Sequence, residues 1–219
     1  MARRIILLVV CLLAVCSVGA WAARPFSTDD AGTVEKGKFE LESGYEYSDV
    51  LSEGQSGLCC LGFKHGLTEK MDIGIGFTHT FVPQAAEGLS PACLSLKFAV
   101  MQDLLAVSFA QEFGSAGYSL NSAWTKAFGP AEIDINLGYE ATATSDTPGS
   151  ITYGAALIYG FEKFNIDIGC EFLGTKDGVQ DWVIGARWKA LGNLAVDLAY
   201  NGDFTGDRKK VTAGLHYEF

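Results

Sequence analysis

The sequence predicts an all-β protein: a transmembrane, antiparallel, up-and-down β-barrel of about 12 strands. Three observations predict it. From Lys38 onward, apolar and polar residues alternate with period two in segment after segment. Most segments run nine to eleven residues, the length at which a tilted strand crosses a bilayer. The links between them are alternately short and long, as in an outer-membrane barrel. With 26 glycines, 5 prolines and no amphipathic helical pattern, the chain reads as strands joined by turns.

Ahead of the strands, Arg3 and Arg4 precede the apolar run IILLVVCLLAVCSVG, and Ala20-Trp21-Ala22 fits a small-x-small cleavage site. Residues 1–22 therefore read as a cleavable signal peptide rather than an anchor. Leu13 to Cys16 is the weaker lipoprotein reading, because Val15 is branched where a small residue is needed. Residues 23–37 hold Pro25 and the turn signal Asp29-Asp30-Ala31-Gly32, so they are expected to be irregular. They either hang in the periplasm or fold back into the lumen as a plug. Residues 38–219 form the barrel.

The first barrel segment, KFELESGYEYSDV, puts Phe39, Leu41, Tyr45 and Tyr47 on one face and Glu40, Glu42, Gly44 and Glu46 on the other. SGLCCLGFKH follows the pattern less cleanly. MDIGIGFTHTF opposes Met71, Ile73, Ile75, Phe77 and Phe81 to Asp72, Gly74, Gly76, Thr78 and Thr80. The remaining strands are expected at ACLSLKFAVM, LLAVSFAQEF, YSLNSAWTKAF, AEIDINLGYEATA, ITYGAALIY, FNIDIGCEF, VQDWVIGARWK, LAVDLAYN and KVTAGLHYEF. The tight links GLTE, QD, GP, GFEK and ALGN are assigned to the periplasmic end. SEGQ, VPQAAEGLSP, GSAG, TSDTPGS, LGTKDG and GDFTGDRK are assigned to the outer end.

A soluble sandwich or lipocalin-like barrel also alternates, but it points its apolar face inward. Here the apolar face carries aromatics towards strand ends, which bilayer interfaces select. Tyr47, Phe81, Phe113, Tyr118, Tyr139, Tyr153, Phe172, Trp182 and Tyr200 would form an outer ring, with Phe39, Phe63, Phe128, Phe164, Trp188 and Phe219 an inner one. The polar face is rich in glycine, which leaves room inside. Outer-membrane lipid and lipopolysaccharide are thus the expected surroundings. A last strand ending on Phe219 resembles the terminal aromatic signature read by the barrel-assembly machinery, which is therefore an expected partner.

The formal net charge of −10, more negative once Arg3 and Arg4 are removed, disfavours nucleic acid as a partner. Cys59, Cys60, Cys93 and Cys170 are too sparse for a disulfide scaffold and read as small packing residues. They form no metal-ligand spacing with His65, His79 and His216, so no metal or other cofactor is expected.

The stretch RPFSTDDAGTVEKGKFELESGYEY and the later HGLTEKMDIGIGF resemble a bacterial outer-membrane transporter family linked to the phenol meta-cleavage pathway. The matching features are an Arg-Pro-aromatic, an acidic triplet, a Gly-Lys-Phe-x-Leu-Glu strand start and a Gly-Leu-Thr turn. The resemblance covers roughly Arg24 to Phe77 and implies an outer-membrane β-barrel transporter, with small aromatic compounds among its solutes.

On the assigned parity the lumen-lining candidates are Glu40, Glu42, Asp72, Lys97, Glu112, Asp134, Glu140, Asp167, Glu171, Asp181, Arg187 and Asp197, joined by Glu46, Glu218, Lys38, Lys210 and His216. Such a lumen is acidic and would favour cations over anions. A hydrocarbon route needs a continuous apolar lining, and only Met101, Ile158 and Val183 stand out as inward apolar residues. No catalytic constellation appears. His79 faces outward, Ser115 and Ser119 lie on another hairpin, and their spacing makes no triad. The expected activity is passive passage of small solutes without chemistry. A non-conducting structural or adhesive barrel and a soluble secreted β-barrel binder are the alternatives.

Overall fold

The structure, a computed structural model, describes residues 24–114, 116–141 and 149–219. The expected signal peptide, Ser115 and most of the TSDTPGS loop lie outside the described residues.

Twelve strands close into one antiparallel barrel. They are β1 Phe39–Val50, β2 Gly54–Thr68, β3 Met71–Val82, β4 Cys93–Met101, β5 Leu105–Glu112 and β6 Tyr118–Phe128. The ring continues with β7 Ala131–Ala141, β8 Ser150–Phe161, β9 Ile166–Thr175, β10 Gly178–Leu191, β11 Leu194–Asp203 and β12 Arg208–Glu218. Each strand pairs with its sequence neighbours, and β1 pairs with β12 in the register Glu40↔Glu218, Glu42↔His216 and Gly44↔Gly214. Closure leaves no sheet edge, the one β solution open to a chain crossing hydrocarbon. The β3–β4 pairing is short, Met71–Gly76 against Cys93–Phe98. Beyond it, β3 pairs with a two-residue strand, Gly88–Leu89, inside the long connection.

At the short-linked end, Asp103 and Asn165 take positive φ (55° and 53°), which lets chain reversal occur within a few residues.

The two faces invert the soluble pattern. Outward side chains such as Leu61, Leu137, Leu157, Ile184, Leu198 and Leu215 are solvent-exposed, whereas Glu42, Asp72, Asp134, Glu171 and Asp197 are buried. This is the arrangement of a barrel whose exterior meets lipid. The aromatics pair across strands: Tyr118 with Tyr139 (6.3 Å between centroids) and Trp182 with Tyr200 (5.6 Å), and at the other rim Phe39 with Phe63 (5.4 Å) and Phe219 (5.6 Å). Met101 does not line the lumen: it is exposed at a strand end, where a register shift after Ala99 precedes the tight turn. The inner apolar surface consists largely of small residues instead, Ala99, Ala106, Ala110, Ala123, Ala156 and Ala199 among them.

Candidate functional site

The residues ahead of β1 run through the interior of the barrel. Phe26, Thr28, Asp29 and Ala31 are buried there, and the backbone of the segment is held by side chains of the surrounding wall. Buried N–H groups need acceptors, and an irregular segment cannot supply them from its own backbone. The wall does so. Ser27 N–H (3.0 Å) and Thr28 N–H donate to the Glu171 carboxylate, Asp29 N–H to Asn136 Oδ1 (2.8 Å), Ala31 N–H to Thr125 Oγ1 (2.8 Å) and Val34 N–H to Asp72 Oδ2 (3.0 Å). Asn136 also donates from Nδ2 to the Asp29 carbonyl (2.7 Å), so it grips both sides of one residue. The Thr125 hydroxyl in turn donates a hydrogen bond to Asp134 Oδ1 (2.5 Å), linking that carboxylate to the segment through one hydroxyl.

Charge pairs add to the grip. Lys97 Nζ lies 2.9 Å from Asp29 and 3.4 Å from Asp30, and Arg24 lies 3.4 Å from Glu46, which Lys210 also approaches at 3.2 Å. Burial pushes the Asp29 carboxyl up to about 6, with the Lys97 ammonium opposing part of that rise. The segment's buried aromatic side chain is Phe26, which clusters with Val183 and Ala199, and Ile158 and Leu173 pack against that cluster.

The inward glycines accommodate this segment. A Cβ at Gly185 would sit 2.8 Å from the Pro25 ring, at Gly154 2.6 Å from Thr28 Oγ1 and at Gly169 2.7 Å from the Phe26 ring. A Cβ at Gly44 would overlap the Arg24 guanidinium, and at Gly66 the carbonyl oxygens of Val34 and Glu35. The room expected from these glycines is thus occupied in large part by the chain itself. A cavity of about 340 Å³ remains at the end nearest the termini, with Lys64, Asp72, Lys97, Arg187, His216 and Glu218 among its lining.

The twelve candidates all fall on the inward parity, and the structure divides them into groups. Asp72, Lys97 and Glu171 bind the segment directly, and Asp134 does so through Thr125. Glu40 and Glu42 share Lys64, at 2.7 and 3.4 Å. Asp167 pairs with Lys189 (2.8 Å) towards one end of the barrel and Asp181 with Arg208 (3.2 Å) towards the other. Arg187 and Asp197 are cross-strand neighbours. Glu112 and Glu140 lie on the inner wall of β5 and β7, with Glu140 opposite Ser119.

Lys64, Thr125, Asn136, Arg24 and Asp29 are contacts that the candidate set lacks. Lys64 was readable, since it shares parity with Gly62. The hydroxyl and amide partners carry no charge signal.

His79 and Ser119 do not meet: Ser119 is buried on the lumen side of β6, and His79, on β3, lies against Phe81 in a tilted contact with 4.4 Å between ring centroids.

The chain matches no family model and no curated protein. Among solved structures it is similar to the KdgM porin, free and in complex with disordered oligogalacturonate. These match at 11% and 12% identity, both with TM-score 0.61, covering 82% of this chain and 99% of that one. An outer membrane channel from Pseudomonas putida is similar at 12% identity and TM-score 0.57, covering 87% of this chain and 98% of that one. Outer membrane phospholipase A from Escherichia coli is similar at 10% identity and TM-score 0.51, covering 83% and 92%. Identities this low carry the fold. With the apolar exterior, that fold is the one built by β-barrels of the bacterial outer membrane.

Proposed function

We propose that the protein is a passive outer-membrane channel for small solutes, with an acidic lumen whose passage is governed by the segment 24–36. The carrying observation is that a polar wall holds this segment almost entirely through hydrogen bonds and ion pairs. Such bonds exchange for bonds with water, at a net cost of about 1 kcal/mol for a neutral pair and about 1.5–3 kcal/mol for one ending on a carboxylate, so departure of the segment costs its docking contacts and leaves the strand pairing of the barrel intact. Inward carboxylates outnumber inward lysines and arginines, and a low-dielectric tube focuses that excess on the ions within it. Small cations and neutral polar solutes suit such a lumen. Oligogalacturonate, the polyanion held by the KdgM porin, does not.

The test is the reversal potential of the refolded protein in a planar bilayer under a potassium chloride gradient, compared with a variant lacking residues 24–36. Small or intermittent currents from the intact protein and larger, steady, cation-selective currents from the variant are expected. Anion selectivity would overturn the acidic lumen. A variant that inserts without conducting would replace the channel with a structural or adhesive barrel.

The Phe26 site favours a second reading, in which small aromatic compounds are among the solutes. An apolar niche formed by Ile158, Leu173, Val183 and Ala199 already binds one benzene ring inside the lumen. Phenol in the bath would then compete with Phe26 and speed amide exchange at Thr28 to Ala31. Exchange that ignores phenol removes the reading.

A further inference from the structure

We propose that the seam joining β1 to β12 carries a divalent metal site formed by Glu40, His216 and Glu218. The ligating atoms, one from each residue, all lie within 4.8 Å of one another. His216 Nε2 is 3.0 Å from Glu218 Oε1 and 3.9 Å from Glu40 Oε2. Four-coordinate zinc with bonds of about 2.0–2.1 Å separates its ligands by about 3.3 Å, so small side-chain rotations complete the set.

The surroundings of the imidazole point to a cation between these groups. Its other nitrogen, Nδ1, faces Glu42 Oε1 at 3.3 Å, and Glu42 is buried. A neutral imidazole has one N–H. If Nδ1 donates it to Glu42, the Nε2 lone pair points at two carboxylates, which nothing but a cation reconciles. A buried carboxylate that orients a histidine through Nδ1 while Nε2 binds the metal is the usual outer-shell arrangement of such sites.

The oxygens of Glu40 and Glu42 are already assigned. Lys64 Nζ takes Glu40 Oε1 (2.7 Å) and Glu42 Oε2 (3.4 Å), leaving Glu40 Oε2 turned towards His216. Glu40, Glu42 and Glu218 against the Lys64 ammonium leave two negative charges, with Arg187, which also acts on Glu42, set against its cross-strand neighbour Asp197, and a divalent ion neutralises those two. Lys38 is engaged by Glu35 at 2.9 Å and acts on Glu218 only from beyond ion-pair distance. The cavity at this end gives a route in, and Glu218 is half-exposed to it. One imidazole and two carboxylates suit zinc or a neighbouring transition metal rather than calcium or magnesium. Glu42 and His216 are 174 residues apart, so no local motif announces the site. Because its ligands sit on the first and last strands, a bound ion staples the barrel shut.

The experiment is calorimetric titration of the refolded, chelator-stripped barrel with zinc, in a background with Cys59, Cys60, Cys93 and Cys170 changed to serine. One zinc per chain is expected. Affinity should fall at least 100-fold in His216→Gln and 10- to 100-fold in Glu42→Gln. Zinc should raise the unfolding midpoint of the serine background and leave that of its His216→Gln derivative unmoved. Strand circular dichroism and heat-modifiable gel mobility confirm that each variant is folded. Absence of binding would overturn the proposal and leave a proton as the cation between the carboxylates. Binding unchanged in both His216→Gln and Glu218→Gln would overturn it too.

Discussion

Replacing Phe26 with alanine isolates the apolar share of the docked segment. Phe26 is 8% exposed and clusters with Val183 and Ala199, with Ile158 and Leu173 packed against them, so the substitution withdraws nearly a whole aromatic side chain from an apolar niche. Burial of such a side chain is worth about 2–3 kcal/mol, and the small walls at Ala199 and Gly169 limit how far the niche can collapse. Undocking of residues 24–36 should therefore become roughly 30- to 150-fold more frequent, since about 1.4 kcal/mol is one decade. The Ser27, Thr28, Asp29 and Ala31 amides report this directly, because their hydrogen bonds end on wall side chains and open only when the segment leaves. Hydrogen exchange at these four should accelerate by that factor in Phe26→Ala, with strand amides unchanged. Equal acceleration across the strands would mean that Phe26 supports the barrel itself. No acceleration at the four amides would mean that the polar contacts alone hold the segment, and the reasoning would fail.

Gly66→Ala pushes a methyl into the carbonyls of Val34 and Glu35, whose backbone cannot yield as a side-chain tip can. Raised conductance with an unchanged strand spectrum is expected, and an unaltered current trace would count against the docked path. Asp29 titrates near 6 when docked against about 3.8 when free, so the docked form binds its proton more tightly. Docking is therefore strengthened as pH falls through 6 and weakened as pH rises through it, and open probability should be higher at pH 7.5 than at pH 5. The opposite trend would show that the Lys97 ion pair outweighs desolvation. Leu137 is 61% exposed on the outer face of β7, so Leu137→Arg should cost about 2–4 kcal/mol of stability in a bilayer, read as a lowered denaturant midpoint. An unchanged midpoint would place Leu137 outside the hydrocarbon.

The strands were legible because each one states its environment locally. A residue such as Ile73 or Asp72 declares its face by parity with its own neighbours, and lipid outside with polar groups inside makes that parity sharp. The path of residues 24–36 was not legible for the opposite reason. Thr28 meets Glu171, 143 residues away, and Ala31 meets Thr125, 94 residues away. No periodicity encodes such contacts, because an irregular segment borrows its hydrogen bonds from whatever wall surrounds it. Asn136 shows the limit well: its parity with Asp134 gives its direction, yet nothing in the sequence says that both ends of its amide meet one backbone residue.

The inward glycines join these two levels. Read alone, Gly44, Gly169 and Gly185 signify empty volume, and empty volume suggests an open pore. Read with the segment in place, each lies where Arg24, Phe26 or Pro25 passes, so the volume has a shape matched to one occupant. A wall built to be permanently filled would have placed large side chains at these positions, because packing that volume with covalently anchored atoms needs no ordering of a separate segment. On the proposed reading, leaving the space to thirteen tethered residues keeps the filling removable, and the tether at Gly37 holds the segment near its berth. Reversible occupancy needs both features together, a lumen emptied of bulk and a polar wall that can re-form its hydrogen bonds.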